Sequence, residues 1–149
     1  MALAFLALFA SACAHAAEER VLQEFFDASR LHNETLLVSI ATVVFDSTAD
    51  GVVTSFTVTS VGPEDRKTLG TDSKAAKIAA LSVAAARPDL KVSEHKGELI
   101  SESVKLSAPV ALANGQTARK TISVILSRAQ LTGDVEVTGR WIVTGFSSY

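Results

Sequence analysis

ISESVKLSAPVALANGQTARKTISVIL, from Ile100 to Leu126, decides how this chain folds. Its even positions Ile100, Val104, Leu106, Ala108, Val110 and Leu112 are apolar, and its odd positions Ser101, Ser103, Lys105 and Ser107 are polar. A side-chain period of two belongs to a strand with one buried face. Past Asn114 and Gly115 the pattern resumes, with Ile122, Val124 and Leu126 inward and Arg119, Thr121, Ser123 and Ser127 outward. A two-residue turn closing Ala113 on Gln116 would set Leu106 opposite Ser123 and mix the faces. A three-residue loop, with Ala113 and Asn114 in a type I turn and Gly115 left-handed, pairs Leu112 with Gln116, Leu106 with Ile122 and Val104 with Val124. One apolar face then survives, so this register is the expected one. After a looser segment holding Thr132, Gly133, Asp134 and Gly139, the run Trp141, Ile142, Val143 reads as a third, well-covered strand.

Upstream, the period changes. Val21, Leu22, Phe25, Phe26 and Ala28 share one arc at 3.6 residues per turn, while Glu19, Arg20, Gln23, Glu24, Asp27 and Arg30 lie outside or beside it. This predicts an amphipathic helix ending near Asn33. The Asn-Glu-Thr start of Glu34 to Ala41 predicts a second, short helix. Val43 to Phe45 and Val52 to Val58 read as a hairpin around the turn Asp46 to Gly51. Ser73 is the expected N-cap of a helix over 74–86 whose seam is Ile78, Leu81 and Ala85, stopped by Pro88. A polar connection from Asp89 to Gly97 then leads into the main sheet.

A chain of 149 residues suits one domain. A domain of this size buries about 70% of the surface that its unfolded chain exposes, so it needs no staple. The net charge of -2, with signs interspersed, leaves no basic stripe for nucleic acid. Ala2 to Ala12 form an apolar run too short to span a bilayer and of signal-peptide length. Two processing signals overlap beyond it. Ala14-His15-Ala16 is a small-x-small cleavage site before Ala17, giving a leader over 1–16. Ala10-Ser11-Ala12-Cys13 resembles a bacterial lipobox without its leucine, giving a leader over 1–12 and a lipid on Cys13. In either processing route 17–149 is one exported domain, periplasmic, extracellular or lipid-anchored to the envelope, without a disulfide; the remaining reading of the apolar run is a short buried helix.

Chemistry-bearing residues are few. His32 would sit near the centre of the first helix's apolar arc if that helix ran so far, and it is the one candidate catalytic residue; the other reading is a histidine at a helix end, where its charge favours the dipole. His95 lies in a polar loop and reads as exposed. Asp46, Thr48, Asp50 and Gly51 match the opening of a calcium loop, but Thr57 stands where the closing glutamate is needed, so Asp46 and Asp50 read as turn residues rather than a metal site. No Gly-x-Ser-x-Gly elbow, cysteine–histidine pair or phosphate loop is present, and no cofactor is implied.

The element order from Glu18 to Phe146, carried by Val21 to Arg30 and by Arg140 to Phe146, resembles the NTF2-like and cystatin-like architecture and exported bacterial proteins and lipoproteins built on it. The Gln-x-Val-x-Gly of cystatin-type protease inhibitors is absent. The resemblance implies an α+β fold, a curved antiparallel sheet packed on a long N-terminal helix, with an extra helix inserted near 74–86. It also implies a cavity, for which Phe25, Phe56, Ile122, Val124 and Trp141 are the lining candidates. The expected function is non-enzymatic binding of an apolar small molecule or an envelope protein. The alternative is a small isomerase or dehydratase using His32.

Overall fold

The computed structural model describes residues 15–149, a mixed α+β protein with an open antiparallel sheet and, among the described residues, three α-helices. In chain order these are α1 (Ala16–Arg30), α2 (Glu34–Ile40), β1 (Val52–Val53), β2 (Thr57–Val61), β3 (Asp65–Thr68), α3 (Ser73–Ala84), a single 3-10 turn (Val92–Glu94), β4 (Lys96–Ala111), β5 (Thr117–Thr132), β6 (Val137–Thr138) and β7 (Ile142–Ser148). The long strands β4 and β5 form the centre. β1, β2 and β3 pair in succession with the outer edge of β4, and β6 and β7 with the outer edge of β5.

The central hairpin has the register that parity requires. Leu106 faces Ile122, Val104 faces Val124, and the Leu112 N–H donates to the Gln116 carbonyl at 2.8 Å. Gly115 takes φ +83°, the left-handed position of a three-residue loop. Ile100, Val104, Leu106, Ala108 and Val110 of β4 and Ile122, Val124 and Leu126 of β5 join Val21, Leu22, Phe25 and Phe26 of α1 in one buried cluster. Phe45, Phe56 and Phe146 close around Phe25 and Phe26, with ring centroids 5.1–6.2 Å apart in tilted or edge-on contact.

Odd residues behave differently at the two ends of β4. Near the hairpin turn they face solvent. Near Leu99 they are buried, because α3 lies on that side: Ala75, Ile78, Ala79 and Val83 pack with Leu99, Ala129, Leu131, Val137 and Ile142 in a second cluster. The buried face of α3 is therefore Ala75, Ile78, Ala79, Ser82 and Val83, not the expected seam through Leu81 and Ala85. Small residues let the helix approach the sheet. The N-cap also moves by one residue, to Asp72, whose Oδ1 accepts from the N–H groups of Lys74 and Ala75. The Lys67 ammonium, 2.6 Å from Asp72, and then those N–H groups hold its carboxyl below the ordinary carboxylate value.

The expected hairpin over Val43 to Val58 does not form. Ala41 bridges Val143 in parallel and the Thr42 N–H donates to the Val143 carbonyl at 2.9 Å, so this segment covers the outer edge of β7, while Val52 and Val53 join β4 at the opposite edge. Phe45 is drawn into the aromatic cluster, and the Asp46 turn completes itself: Asp46 Oδ1 accepts from Thr48 and Ala49, and Asp50 Oδ2 accepts from the Asp46 N–H. The second helix forms as expected, with Asn33 Oδ1 accepting from the Leu36 N–H at 3.1 Å.

Ser82 fastens α3 to the sheet. Its Oγ donates to the Arg140 carbonyl at 2.7 Å and accepts from the Ala129 N–H at 2.9 Å, while its own carbonyl accepts from the Arg140 N–H. Gly139 lies so close that a Cβ there would strike the Ser82 backbone. Replacing Ser82 by Ala leaves two buried backbone groups without a side-chain partner, at about 1–3 kcal/mol each. The expected result is a fall in urea midpoint worth about 2–4 kcal/mol at unchanged m-value.

Candidate functional site

On the inner face of the sheet the apolar parity of β4 is broken once between Ile100 and Val110. Glu102 stands between Ile100 and Val104, faces inward and is only 6% exposed. Two residues beyond its partner Leu126, Arg128 stands opposite Ile100, which makes Glu102 and Arg128 diagonal neighbours on one face. The Arg128 guanidinium lies over the Trp141 ring, 4.4 Å from its centroid. Arg128 also reaches Glu64 at 3.8 Å, and Glu64 continues through Arg66 to Glu98 with two 3.0 Å ion pairs. Opposite, Arg140 holds Glu24 of α1 at 2.8 Å. Arg128, Trp141, Arg140 and Glu24 line a cleft of about 420 Å³ under the first two turns of α1, together with Ala17 and Arg20.

Glu102 Oε1 and Arg128 Nε are buried without a hydrogen-bond partner among the described residues. Burial is the main cause that pushes the Glu102 carboxyl up to about 7. A hydrogen bond to Glu18 and the charges of Glu18 and Glu64 add to it, and Arg128 opposes them. Glu18 belongs to this surface by helical spacing: it precedes Val21 by three residues, Leu22 by four and Phe25 by seven, so it shares their side of α1. This polar group was not among the residues expected from sequence. Its one signal was a single acid within an otherwise apolar parity.

The expected site residues separate. Phe25, Ile122 and Val124 are fully buried in the packed core and line none of the clefts described here. Phe56 lines a shallow cleft beside Glu19, Arg20 and Gln23. Trp141 lines the Arg128 cleft. His32 lies beyond the end of α1, not on its apolar arc. It is the C′ residue, at φ +54°, of a Schellman end in which Asn33 N–H bonds the Ala28 carbonyl at 2.8 Å and His32 N–H bonds that of Ser29 at 3.3 Å. It lines a third cleft, of about 480 Å³, with Leu37, Val38, Val44 and Phe45 and with the carboxylates of Glu34 and Asp46. Asp46 and Asp50 are occupied by turn N–H groups, and among the described residues no three His, Cys, Asp or Glu side chains gather as metal ligands. His95 is half-buried rather than exposed, its Nδ1 3.4 Å from Asp134. Cys13 lies outside the described residues, and no described helix is long and apolar enough to cross a membrane.

Compared with known proteins, the chain matches no protein-family model, no curated protein and no solved structure.

Because the Glu102 carboxyl titrates higher folded than unfolded, its contribution to stability is complete below about pH 4.5 and is lost as pH rises to about 7. The neutral isostere Glu102→Gln removes that loss. Chemical denaturation at pH 8 should find the variant more stable by about 1–3 kcal/mol, with the two proteins converging near pH 5.

Proposed function

We propose that this chain is an exported, non-enzymatic domain on the NTF2-like or cystatin-like plan, its sheet curling over α1. In this reading it binds an apolar group, from a small molecule or an envelope-protein partner, at the cleft beside the end of α1. One observation carries the reading: Val38 and Val44, 68% and 73% exposed, stand on the rim of one cleft floored by Leu37 and Phe45. Leu31, 63% exposed, adjoins it through His32. Large apolar side chains left in water around a concavity mark an interaction surface, and about 480 Å³ falls within the range of about 300–1,000 Å³ usual for ligand sites. Export is supported by the apolar run Ala2 to Ala12 and the cleavage pattern before Ala17; a lipid on Cys13 would add an envelope anchor. The occupant moves from the core residues first expected to line a cavity to this rim, because those residues already fill one another's space.

The neutral apolar dye N-phenyl-1-naphthylamine tests the site. Binding should be saturable at one dye per chain and weaken about tenfold or more when Val38 and Val44 are both replaced by Ser, as the loss of two apolar contacts requires. Non-saturable binding, or equal binding by the double variant, refutes the assignment.

The enzyme reading has its own support, since His32 shares the cleft with Glu34 and Asp46. No described carboxylate hydrogen-bonds its ring, although a general base needs such an orienting partner. His32→Gly separates the two readings. Glycine suits φ +54° and should stabilise the fold by about 1 kcal/mol. Dye binding should persist in this variant, and a loss of turnover on an isomerase or dehydratase substrate would favour the enzyme.

A further inference from the structure

The apolar cleft beside the end of α1 carries charge of one sign. Glu34, the first residue of α2, and Asp46, which opens the turn before β1, are exposed on it, while Leu37 and Phe45 form its floor and Val38 and Val44 its rim. Among the described residues that line it there is no lysine or arginine, and His32 is the one basic side chain. The sequence accounts for this imbalance. From Leu31 to Asp65 the chain carries five acidic residues and no lysine or arginine, and every lining residue except Ser29 comes from that stretch. Arg30, the cation just before it, is turned to Asp27 at 3.4 Å.

We propose that this cleft selects a small cationic amphiphile, an amine or quaternary ammonium on an apolar ring or short chain. The apolar part lies on Leu37 and Phe45 between Val38 and Val44, and the cation stands at the rim against the Glu34 and Asp46 carboxylates. Such a preference presupposes that the cleft takes an apolar ligand at all, and adds the ligand's charge. The two acids are free to serve it. Glu24, Glu64, Glu98 and Asp72 each hold an arginine or lysine, whereas Glu34 and Asp46 form no ion pair among the described residues. The turn N–H groups of Thr48 and Ala49 engage one Asp46 oxygen, Oδ1, at 2.8 and 3.4 Å, which leaves Oδ2 as an acceptor. An anionic amphiphile of the same shape would set its own charge beside two like charges, with no lysine or arginine to receive it. A neutral one gains nothing from the acids. A metal ion would lack ligands, since no three His, Cys, Asp or Glu side chains gather among the described residues. An amine with an apolar body uses both halves of the site, and a cleft of about 480 Å³ is of ordinary size for a small ligand. An exposed ion pair is worth at most about fivefold in affinity, so two acids acting on one cation set a preference of about fivefold to tenfold.

Three naphthalenes of similar shape and different charge test this on the full chain: 1-naphthylmethylamine, 1-naphthylmethanol and 1-naphthoate, each displacing N-phenyl-1-naphthylamine at pH 8, where an imidazole is ordinarily neutral. At low salt the amine should displace the dye at a concentration about fivefold to tenfold below that of the alcohol, and the naphthoate should be the weakest of the three. With Glu34→Gln and Asp46→Asn combined, the ratio of amine to alcohol affinity should fall to about one. The turn is retained in this variant, because the asparagine Oδ1 still accepts from Thr48 and Ala49. The ratio in the native chain should also shrink in about 1 M NaCl, where the Debye length is about 3 Å. An amine no tighter than the alcohol, or a preference that survives both substitutions, overturns the cation assignment alone, provided that the dye binds saturably and is weakened by the Val38 and Val44 replacements. A dye that fails those two conditions removes the apolar site and the cation preference together.

Discussion

An uninterrupted antiparallel pairing of β4 with β5, from Lys96 opposite Thr132 to Ala111 opposite Thr117, is the constraint from which the rest of the structure follows. Every other strand attaches to one of its two outer edges, and the buried side chains of α1 and α3 pack against one or other of its faces. With no bulge between the two strands, parity holds over the whole length, so a residue's number decides which helix it can touch. Even residues meet α1. Odd residues meet α3 where it is present and water where it is not. A slip of one residue would exchange the faces and expose Val104, Leu106, Ile122 and Val124 together, at about 1.5–3 kcal/mol for each side chain.

The parity of this pair and its turn were legible in sequence, because alternation and the Asn114-Gly115 turn are local signals that allow one consistent register. The face of α3 was not. Its buried face mixes Ile78 and Val83 with two alanines and a serine, which carry little hydrophobic contrast, and on the sheet the adjacent Leu99 and Ile100 are both buried, where alternation has nothing to report. The Val43 to Val58 hairpin failed for a related reason. Its residues have strand character, but Phe45 packs against three other phenylalanines, Phe25, Phe26 and Phe146, brought together from distant positions rather than against a local partner. The polar site joins Glu18, Glu64, Glu102 and Arg128, residues scattered through the chain, so no spacing rule could assemble it. Glu102 alone left a trace, as an acid in an apolar series.

α1 has two ends of unlike character. Its later turns hold Phe25 and Phe26 in the aromatic cluster, and it stops in a Schellman arrangement that commits the chain directly to α2. Its first turns border charged and small residues instead: Ala17 and Arg20 line one cleft with Arg128, Arg140, Gly139 and Ala85. Burying an ion pair seldom yields net stability, since desolvation offsets attraction, and a buried acid short of a counter-ion costs more. The fold carries this cost at one end because the apolar end holds the helix in place.

That asymmetry determines what kind of motion α1 can make. Detaching the whole helix would expose Val21, Leu22, Phe25 and Phe26 together, at about 1.5–3 kcal/mol each, which is comparable to the entire stability of a small domain. Lifting only the residues before Val21 exposes none of these side chains. It breaks the bonds that the carbonyls of these residues accept from N–H groups four residues on, each worth about 0.5–1.5 kcal/mol net, less than the apolar burial that it spares. Local opening draws on the least stable segment, so the first turn is the part of α1 that opens at least cost. The apolar cleft at the far end of the helix is left undisturbed by that opening, because His32, Leu37, Val38 and Phe45 are held by the Schellman end, by α2 and by the aromatic cluster, all of which lie beyond the first turn.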